Sequence, residues 1–548
     1  MQKNDEITLR ITGMTAEGAG VGRAEGMAVF VPYAAPGDLL RAHVVKVHKT
    51  YAFAKIEEIL ESSADRVEPD CPVFGRCGGC VYRHLTYEAE LEAKRQRVQD
   101  ALARIGGMPI EVPPVLGSEA VDAYRNKAQY PVARVNGQLQ IGFFAPRSHR
   151  IVDCRDCRLQ PPEFTAAVKA VAGWMERYQV SAYEEKNHRG LVRHIYLRKG
   201  EETGQVMVCL VSNGRGLPHQ EELLEALREQ VLGLASVVLN VNEARTNVIV
   251  GKTCIPLWGA PAIEDVLCGV RVSISPLSFY QVNRRQCQVL YRKAADYAGL
   301  TGSETVLDLY CGIGTIGLTM AKKAGRIIGV EVVSQAVEDA RENARRNGIE
   351  NATFLCADAA QAAVRLAKEE IRPDIVLLDP PRKGCTEELA ATVSQMGPRR
   401  IVYVSCDPGT LARDLKTFGA LGYHTDAVQP VDMFPHTAHV ETLVLLTREK
   451  SVKSYAFVDV STDELELGNT GKKATYKQIQ SYVEEKYGLK VSPLYIAGVK
   501  DEYGLEKQFS YEDNGMAAKK RPNCPKEKHD AIVDALIHFG MLDEKKVK

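Results

Sequence analysis

A short strand that runs into a glycine loop and then a helix most constrains the fold of this chain. Residues 305–318 read TVLDLYCGIGTIGL, so an apolar strand meets Gly312 and Gly314 before an apolar helix. The next strand, RIIGVE, ends in Glu331, about 20 residues beyond the glycines, where a Rossmann-type site binds ribose hydroxyls. The third glycine of a dinucleotide loop is missing. The spacing therefore predicts a Rossmann-like domain with a nucleoside site.

A cysteine follows a later strand of the same predicted domain. Residues 401–411 read IVYVSCDPGTL, so an apolar strand delivers Cys406 to its carboxyl end, and Asp407 and Pro408 start a helix. Open α/β sheets bind ligands at this edge, and a helix N-terminus favours a thiolate. On this stretch alone, a small apolar residue that closes a strand is the more common explanation.

Three carboxylates accompany that cysteine. TFLCAD ends in Asp358, which we expect near an adenine, and DIVLLDPPRKG places Asp379 before two stiff prolines. Glu441 comes just before the last strand, close to His436 and His439. A surface carboxylate is the plainer interpretation of Glu441 taken alone.

One reaction uses a cysteine, a carboxylate and a methyl donor together. A thiolate that adds to carbon 6 of uracil makes carbon 5 nucleophilic, so that carbon 5 attacks a sulfonium methyl group. A base then removes the proton at carbon 5, and the thiol leaves. Donors at the uracil oxygens stabilise the enolate, and Arg382 is our choice for that role.

A second group of cysteines lies near the N-terminus. Cys71, Cys77 and Cys80 have the spacing C-x5-C-x2-C, and IVDCRDCRLQ offers Cys154 and Cys157 as a fourth ligand. Sites made of cysteines alone hold zinc or iron–sulfur clusters, and spacing does not choose between them.

The remaining segments suggest RNA contacts. Residues 1–60 show short strands broken by glycines, with late basic and aromatic residues that suit a nucleic-acid-binding OB-type barrel or, equally, a plain β-domain. Residues 87–104 predict a charged helix with a solvated face. Residues 452–548 predict a polar linker and a small helical domain that binds RNA or docks a partner.

Composition excludes several classes. Lys plus Arg and Asp plus Glu are 70 each, so any basic surface is local. No apolar run approaches the roughly 18 residues of a membrane helix, and the N-terminus lacks a signal-peptide core. We expect a cytoplasmic protein in which the 14 cysteines form no disulfide framework and some of them serve metal or catalytic chemistry.

The motifs resemble a known family when they are taken in order. CGGC, SFYQVN, LDLYCGIGT, LLDPPRKG, YVSCDPGTLARDL and DMFPHTAHVET are similar to the RNA (uracil-5-)-methyltransferases, and the glycine loop resembles the S-adenosylmethionine site of class I methyltransferases. The resemblance covers roughly residues 1–448. It identifies residues 1–60 as similar to a TRAM domain, an RNA-binding module.

The resemblance implies roles for individual residues. Cys406 is the expected nucleophile and Glu441 the expected base. The expected S-adenosylmethionine ligands are Gln281, Tyr310, Glu331 and Asp379. A [4Fe-4S] cluster is expected on Cys71, Cys77, Cys80 and Cys157, with Cys154 as the rival fourth ligand and zinc as the rival metal.

The resemblance also implies an organisation and a substrate. The expected parts are a TRAM barrel (1–60), an iron–sulfur segment with a central α/β RNA-binding domain (61–270) and a class I methyltransferase domain (271–448). The small helical extension (452–548) lies beyond the resemblance and is expected from its own sequence pattern. The expected substrate is a uridine of 23S rRNA, with transfer RNA second and no obligate protein partner. A non-catalytic RNA-binding protein with a degenerate methyltransferase domain is the alternative from another class.

Overall fold

The computed structural model describes residues 1–448, 474–503, 505 and 524–542. The chain forms two compact units, Met1–Ser451 and Val452–Lys548. Residues 461–473 of the predicted polar linker and residues 519–523 of the basic stretch that follows lie outside the described residues. Among the described helices, none is both long and apolar enough to cross a membrane.

The first unit begins with a closed five-stranded barrel. Its strands are β1 (Glu6–Met14), β2 (Ala19–Ala24), β3 (Met27–Pro32), β4 (Leu39–Val47) and β5 (Tyr51–Glu61), in the order β1-β2-β3-β5-β4. Alternate residues such as Leu9 and Ile11, or Val29 and Val31, fill its core. This confirms the predicted N-terminal barrel.

The cysteine segment leads into helix α1 (Tyr87–Arg104) and then into a seven-stranded central sheet. The sheet has the order β12-β11-β10-β9-β6-β7-β8. Its strands are β6 (Lys127–Val135), β7 (Gln138–Phe144), β8 (Ile151–Asp153), β9 (Val192–Lys199), β10 (Val206–Ser212), β11 (Leu234–Val241) and β12 (Thr253–Gly259). Helices α2 (Pro162–Arg177) and α3 (Gln220–Gln230) share one apolar core with it.

A hairpin, β13 (Ile263–Leu267) with β14 (Val270–Ile274), precedes a second seven-stranded sheet. This sheet has the order β17-β16-β15-β18-β19-β21-β20. Its strands are β15 (Thr305–Leu309), β16 (Arg326–Glu331), β17 (Ala352–Cys356), β18 (Ile375–Leu378), β19 (Arg400–Ser405), β20 (Tyr423–Val431) and β21 (Glu441–Arg448). Its helices are α4 (Arg284–Ala298), α5 (Thr315–Met320), α6 (Ser334–Arg346), α7 (Ala359–Lys368), α8 (Glu387–Met396) and α9 (Pro408–Ala420).

Strands β15 to β19 are all parallel to one another, whereas β21 is antiparallel to both β19 and β20. Apolar cores lie on both faces of the sheet, as a doubly wound fold requires. The predicted Rossmann-like C-terminal domain is therefore confirmed.

The second unit contains three described helices, α10 (Tyr476–Tyr487), α11 (Pro493–Glu502) and α12 (Lys526–His538), around an apolar core. Thr475 and Gln478 form a capping box at the start of α10, and Ser492 caps α11. The chosen domain boundaries at residues 60, 270, 448 and 452 stay predictions.

Candidate active site

Predicted site residues collect at the carboxyl edge of the second sheet. Tyr310, Asp379 and Cys406 each follow the last residue of a parallel strand, and Glu331 ends β16. Strand β21 runs the opposite way, and its Thr442 pairs with Ser405 of β19. Glu441 therefore starts β21 at the same edge, next to the strand that delivers Cys406.

The glycine loop and Glu331 form one side of this edge. Gly312 and Gly314 have φ values of +55° and +80°, a backbone region that favours glycine. The Glu331 carboxylate accepts hydrogen bonds from Gly312 N (3.2 Å) and Val333 N (2.9 Å). Tyr310 also has a positive φ, +66°. Such strain in a non-glycine residue is characteristic of ligand sites.

Buried carboxyls lie at the centre of the edge. Burial raises the pKa of Asp379 to about 7, and it raises the pKa of Asp308 to about 7 as well. Asp308 accepts a hydrogen bond from Gly317 N at 3.0 Å, which fixes the start of α5. The proximity of Asp379 adds to the shift in the pKa of Asp308.

Cys406 is half-buried at the N-terminus of α9. Asp407 caps this helix by accepting a hydrogen bond from Thr410 N at 2.8 Å, and Pro408 occupies its first turn. Burial, followed by the neighbouring Glu441 carboxyl, raises the pKa of the Cys406 thiol. The Arg382 guanidinium acts in the opposite direction, since it is within hydrogen-bonding reach of the thiol and favours the thiolate.

Glu441 is 5% exposed, so the expectation of a surface carboxylate, which the motif taken alone favoured, is wrong. Burial, with a smaller contribution from Asp379, raises its pKa to about 8, and Arg382 opposes the shift. Arg382 also lies 3.5 Å from His439 Nδ1. Burial and this guanidinium together lower the pKa of His439 to about 4, so the imidazole is neutral at pH 7.

The segment before Glu441, residues 432–440, is held by donors from distant parts of the chain. Six of its carbonyls accept hydrogen bonds: Asp432 from Gln286, Met433 from Asn283, Phe434 from Lys94, Pro435 from Tyr124, His436 from the backbone of Val81 and Tyr82, and Ala438 from Arg97. His436 has a φ of +66°. We call residues 432–440 the base loop.

Helix α1 supplies much of this support, so the prediction of a solvated face is wrong. Glu90 and Lys94 are 0% exposed. Lys94 Nζ lies 2.6 Å from both Glu90 and Asp432, and Glu90 accepts a hydrogen bond from His436 N at 2.7 Å. Charges that look solvated in the sequence are paired inside the protein. The sequence signal for this burial was the i, i+4 spacing that puts Glu90 and Lys94 on the same helix face as the apolar Val98 and Leu102.

Sequence reasoning also missed two residues beside Gln281. Asn126 donates a hydrogen bond to the Gln281 carbonyl at 2.8 Å, which ties the central domain to this loop. Phe279 is 63% exposed, which is unusual for a large aromatic side chain. The available sequence signal was the position of the aromatic Phe279 within the SFYQVN motif.

The structure brings the predicted cysteines together around one cavity. The cavity has a volume of about 260 Å³, and Cys71, Cys77, Cys80, Cys154 and Cys157 all line it. Cys154 and Cys157 lie close enough for each thiol to shift the pKa of the other. Within the described part of the chain, no three His, Cys, Asp or Glu side chains have a geometry that could hold a metal ion.

The roles of the predicted residues stay predictions. Cys406, Glu441 and Asp379 interact with one another, and Glu331 contacts the glycine loop. Gln281 is half-buried on the loop before α4.

Comparisons with known proteins find two family models that match the first unit. Residues 86–449 match the family model of tRNA (uracil-5-)-methyltransferases, and residues 2–56 match the TRAM domain. An uncharacterized RNA methyltransferase of Clostridium tetani is 45% identical over 447 residues, which are 82% of this chain and 97% of the relative. One of Listeria monocytogenes is 46% identical over 446 residues, 81% of this chain and 98% of the relative.

A solved structure is also similar. The Pyrococcus abyssi tRNA (uracil-54, C5)-methyltransferase, crystallised with S-adenosyl-L-homocysteine, superimposes with a TM-score of 0.66 at 29% identity. The match covers 80% of this chain and all of the other.

Proposed function

The chain belongs to the tRNA (uracil-5-)-methyltransferase family and is an S-adenosylmethionine-dependent RNA methyltransferase, and from this premise we propose that it converts a specific uridine of RNA to 5-methyluridine. The observation that carries the proposal is the pairing of β19 with β21, which places Cys406 beside the buried Glu441. An intact nucleophile and base argue against a degenerate, non-catalytic protein.

The proposed reaction begins with the Cys406 thiolate. It adds to carbon 6 of the uracil, and the new carbon–sulfur bond pushes an electron pair toward carbon 5 and oxygen 4. Arg382 lies beside the thiol and Glu441, where its charge favours the thiolate and stabilises the enolate. Carbon 5 then takes the methyl group from the sulfonium, and S-adenosylhomocysteine leaves.

Glu441 completes the proposed cycle as a base. Its carboxylate removes the proton from carbon 5, the carbon–sulfur bond breaks, and Cys406 leaves with the sulfur electron pair. A carboxyl with a pKa near 8 is a strong base once ionised, and Arg382 nearby assists that ionisation. Gln281, Tyr310, Glu331 and Asp379 are proposed to hold S-adenosylmethionine.

The target base must leave its stack to reach this edge. The exposed Phe279 ring offers a stacking surface for an extruded base, and unpaired loops of RNA supply such bases at the lowest cost. We place 23S rRNA first as the substrate, because a TRAM barrel and a cysteine cluster occur together in this chain. Transfer RNA is second, and the likeness to the Pyrococcus abyssi enzyme favours it.

We also propose that Cys71, Cys77, Cys80 and Cys157 hold a [4Fe-4S] cluster. What supports the proposal is the donor set: five thiols line one cavity, and their side chains would have to converge on a cluster when it binds. When bound, the cluster would crosslink residues 71–80 to Cys157, and methyl transfer itself moves no electrons to or from it. Purified protein should absorb visible light and contain iron and sulfide, and Cys80→Ser should lose both while Cys154→Ser keeps them. A colourless protein with stoichiometric zinc would contradict this assignment.

We propose residues 1–60, 61–270, 271–448 and 452–548 as separate functional parts, with the last one adding RNA affinity or docking a partner. Deleting residues 452–548 separates these two roles. Weaker rRNA binding with unchanged S-adenosylmethionine binding favours the RNA role, whereas unchanged RNA binding favours the partner.

The central experiment is mass spectrometry of the protein with S-adenosylmethionine and RNA fragments that carry 5-fluorouridine. The base cannot remove fluorine, so a covalent adduct should persist on Cys406 and be absent in Cys406→Ser. Cys524→Ser, a change in the second unit, is the matched control. Comparing rRNA and tRNA fragments identifies the substrate. If neither fragment forms an adduct with wild-type protein, the proposed mechanism is wrong.

A further inference from the structure

Arg97 lies on α1, three residues after Lys94, and its side chain contacts two separate segments of the active site. Its side chain is 18% exposed. One guanidinium nitrogen, Nη1, donates a hydrogen bond to the Ala438 carbonyl, and Nη2 lies 4.0 Å from the Asp407 carboxylate. Ala438 belongs to the base loop, three residues before Glu441, whereas Asp407 directly follows Cys406.

These two contacts join segments that reach the site by different routes. Cys406 and Asp407 are placed by β19 and the start of α9. The base loop is placed by the turn between β20 and β21 and by its donors from α1, the cysteine segment and α4. Arg97 therefore bridges the segment that carries the thiol and the segment that leads to the carboxyl.

We propose that Arg97 is a positioning residue for the methylation reaction, which sets the placement of the Glu441 carboxyl relative to the Cys406 thiol. This inference rests on the proposed function. A guanidinium suits the task because its planar fork presents several donors in fixed directions, whereas a lysine ammonium is a single point charge on a flexible stem.

Two other polar residues of α1 make a different contribution. Glu90 and Lys94 are fully buried and contact the base loop from its first residue, Asp432, to the backbone of His436 in its middle. They fix the first half of the loop. Arg97 acts on Ala438, much closer to the carboxyl, and it alone among these three side chains also approaches Asp407. This second contact distinguishes positioning the base relative to the thiol from anchoring the loop.

The two chemical steps depend on this placement to different degrees. Addition to carbon 6 needs the Cys406 thiolate and the uracil, and it does not use Glu441. Elimination needs the thioether at carbon 6 and the Glu441 carboxylate to face the same ring in one arrangement. Loss of Arg97 should therefore slow elimination by about 10- to 100-fold, the usual effect of a misplaced catalytic group, and affect addition much less.

The test compares Arg97→Met with wild type in single turnovers, using full-length protein. Addition is followed as adduct formation with 5-fluorouridine RNA, and elimination as release of 5-methyluridine product from ordinary RNA. We expect the ratio of elimination to addition to fall by about 10- to 100-fold in Arg97→Met, with methylated adduct accumulating on ordinary RNA. The ratio in Arg97→Lys should lie between those of wild type and Arg97→Met. Arg104→Met, the same change at an exposed position of the same helix, should have the wild-type ratio.

This ratio separates positioning from a merely structural role. Both rates come from the same folded molecules, so partial unfolding lowers both and leaves the ratio unchanged. An unchanged ratio in Arg97→Met overturns the inference alone, whatever the change in thermal stability. If Arg97→Met does not fold, an unchanged ratio in Arg97→Lys has the same meaning. Absence of an adduct in wild type overturns the proposed function, and this inference with it.

Discussion

The two sides of the active site are built in opposite ways. The cofactor side consists of a strand, a glycine loop and the carboxylate that ends the next strand, and its contacts join near neighbours: Glu331 accepts from Gly312 and Val333. The base side consists of Glu441 and the base loop, and its donors come from residues 81–126, from residues 283–286 and from nearby turns. The first side is a local motif, whereas the second is an assembly of distant segments.

The difference shows what each side must do. S-adenosylmethionine is a small molecule of fixed structure, so a short local motif can supply the backbone donors that bind it. In the proposed mechanism, Glu441 must meet a proton at carbon 5 of the target base after a covalent step, which requires precise placement. Long-range contacts from the cysteine segment and the central domain hold the loop that leads to Glu441, so under this proposal they contribute to the placement of the base.

The largest effect is expected from changing Glu441 itself. Glu441→Gln keeps the size of the side chain and removes the base, so turnover should fall by about 10²- to 10⁴-fold. Methylated adduct should accumulate on ordinary RNA, detected as a protein–RNA complex on denaturing gels.

The pH dependence follows from the raised pKa of Glu441. The carboxylate is the active form, so elimination in wild type should rise with pH and level off above about pH 8. Glu338→Gln, an exposed change on α6, is the control. Fast turnover by Glu441→Gln without accumulated adduct would assign the base to another residue.

The buried Lys94 tests whether the base side depends on distant segments. Lys94→Met leaves Glu90 and Asp432 as close, buried carboxylates without their cation, so the free energy of unfolding should fall by about 3–5 kcal/mol. Urea denaturation measures this change. Lys169→Met, at an exposed position of α2, should change little. A loss below about 1 kcal/mol, the level of a surface pair, would mean that the buried cluster contributes little to stability.

A change on the cofactor side should weaken ligand binding and leave the stability of the protein almost unchanged. Glu331→Gln weakens charge-assisted hydrogen bonds at the proposed ribose site, worth about 1.5–3 kcal/mol. We expect S-adenosylmethionine affinity to drop by about 10- to 100-fold in calorimetry, with the unfolding free energy close to that of wild type. Unchanged affinity, or a large loss of stability, would remove the distinction between the two sides.

This difference also explains what the sequence could predict. The strand–glycine–helix pattern and the acid at Glu331 are contiguous, so their period and spacing are sufficient to predict the Rossmann-like sheet. The burial of Glu441 could not be predicted this way. The loop that leads to Glu441 is held by Lys94 and Tyr124, which lie more than 300 residues before it in the chain. Their local sequence patterns indicate only a charged helix and the approach to a strand.

The solvated interpretation of α1 failed for a related reason. Glu90 and Lys94 have the i, i+4 spacing that usually marks a surface pair. Their register with the apolar Val98 and Leu102 indicates burial, but their third partner, Asp432, lies 338 residues beyond Lys94 and has no local signal. The five cysteines were grouped correctly from their spacing, since all five line one cavity, whereas the metal that they hold stays a prediction.

The smallest effect is expected at Tyr124, and it tests whether the contacts of the base loop support one another. The Tyr124 hydroxyl, in a side chain 5% exposed, donates to the Pro435 carbonyl at 3.0 Å. Tyr124→Phe removes one donor of several, so the unfolding free energy should fall by about 1 kcal/mol while elimination keeps its wild-type rate. Tyr130→Phe is the matched control, since the Tyr130 hydroxyl is buried and has no hydrogen-bond partner among the described residues. A marked loss of elimination in Tyr124→Phe would show that the donors act as one cooperative unit, in which each contact is needed to hold Glu441. Removing one donor would then reduce activity by more than a single hydrogen bond accounts for.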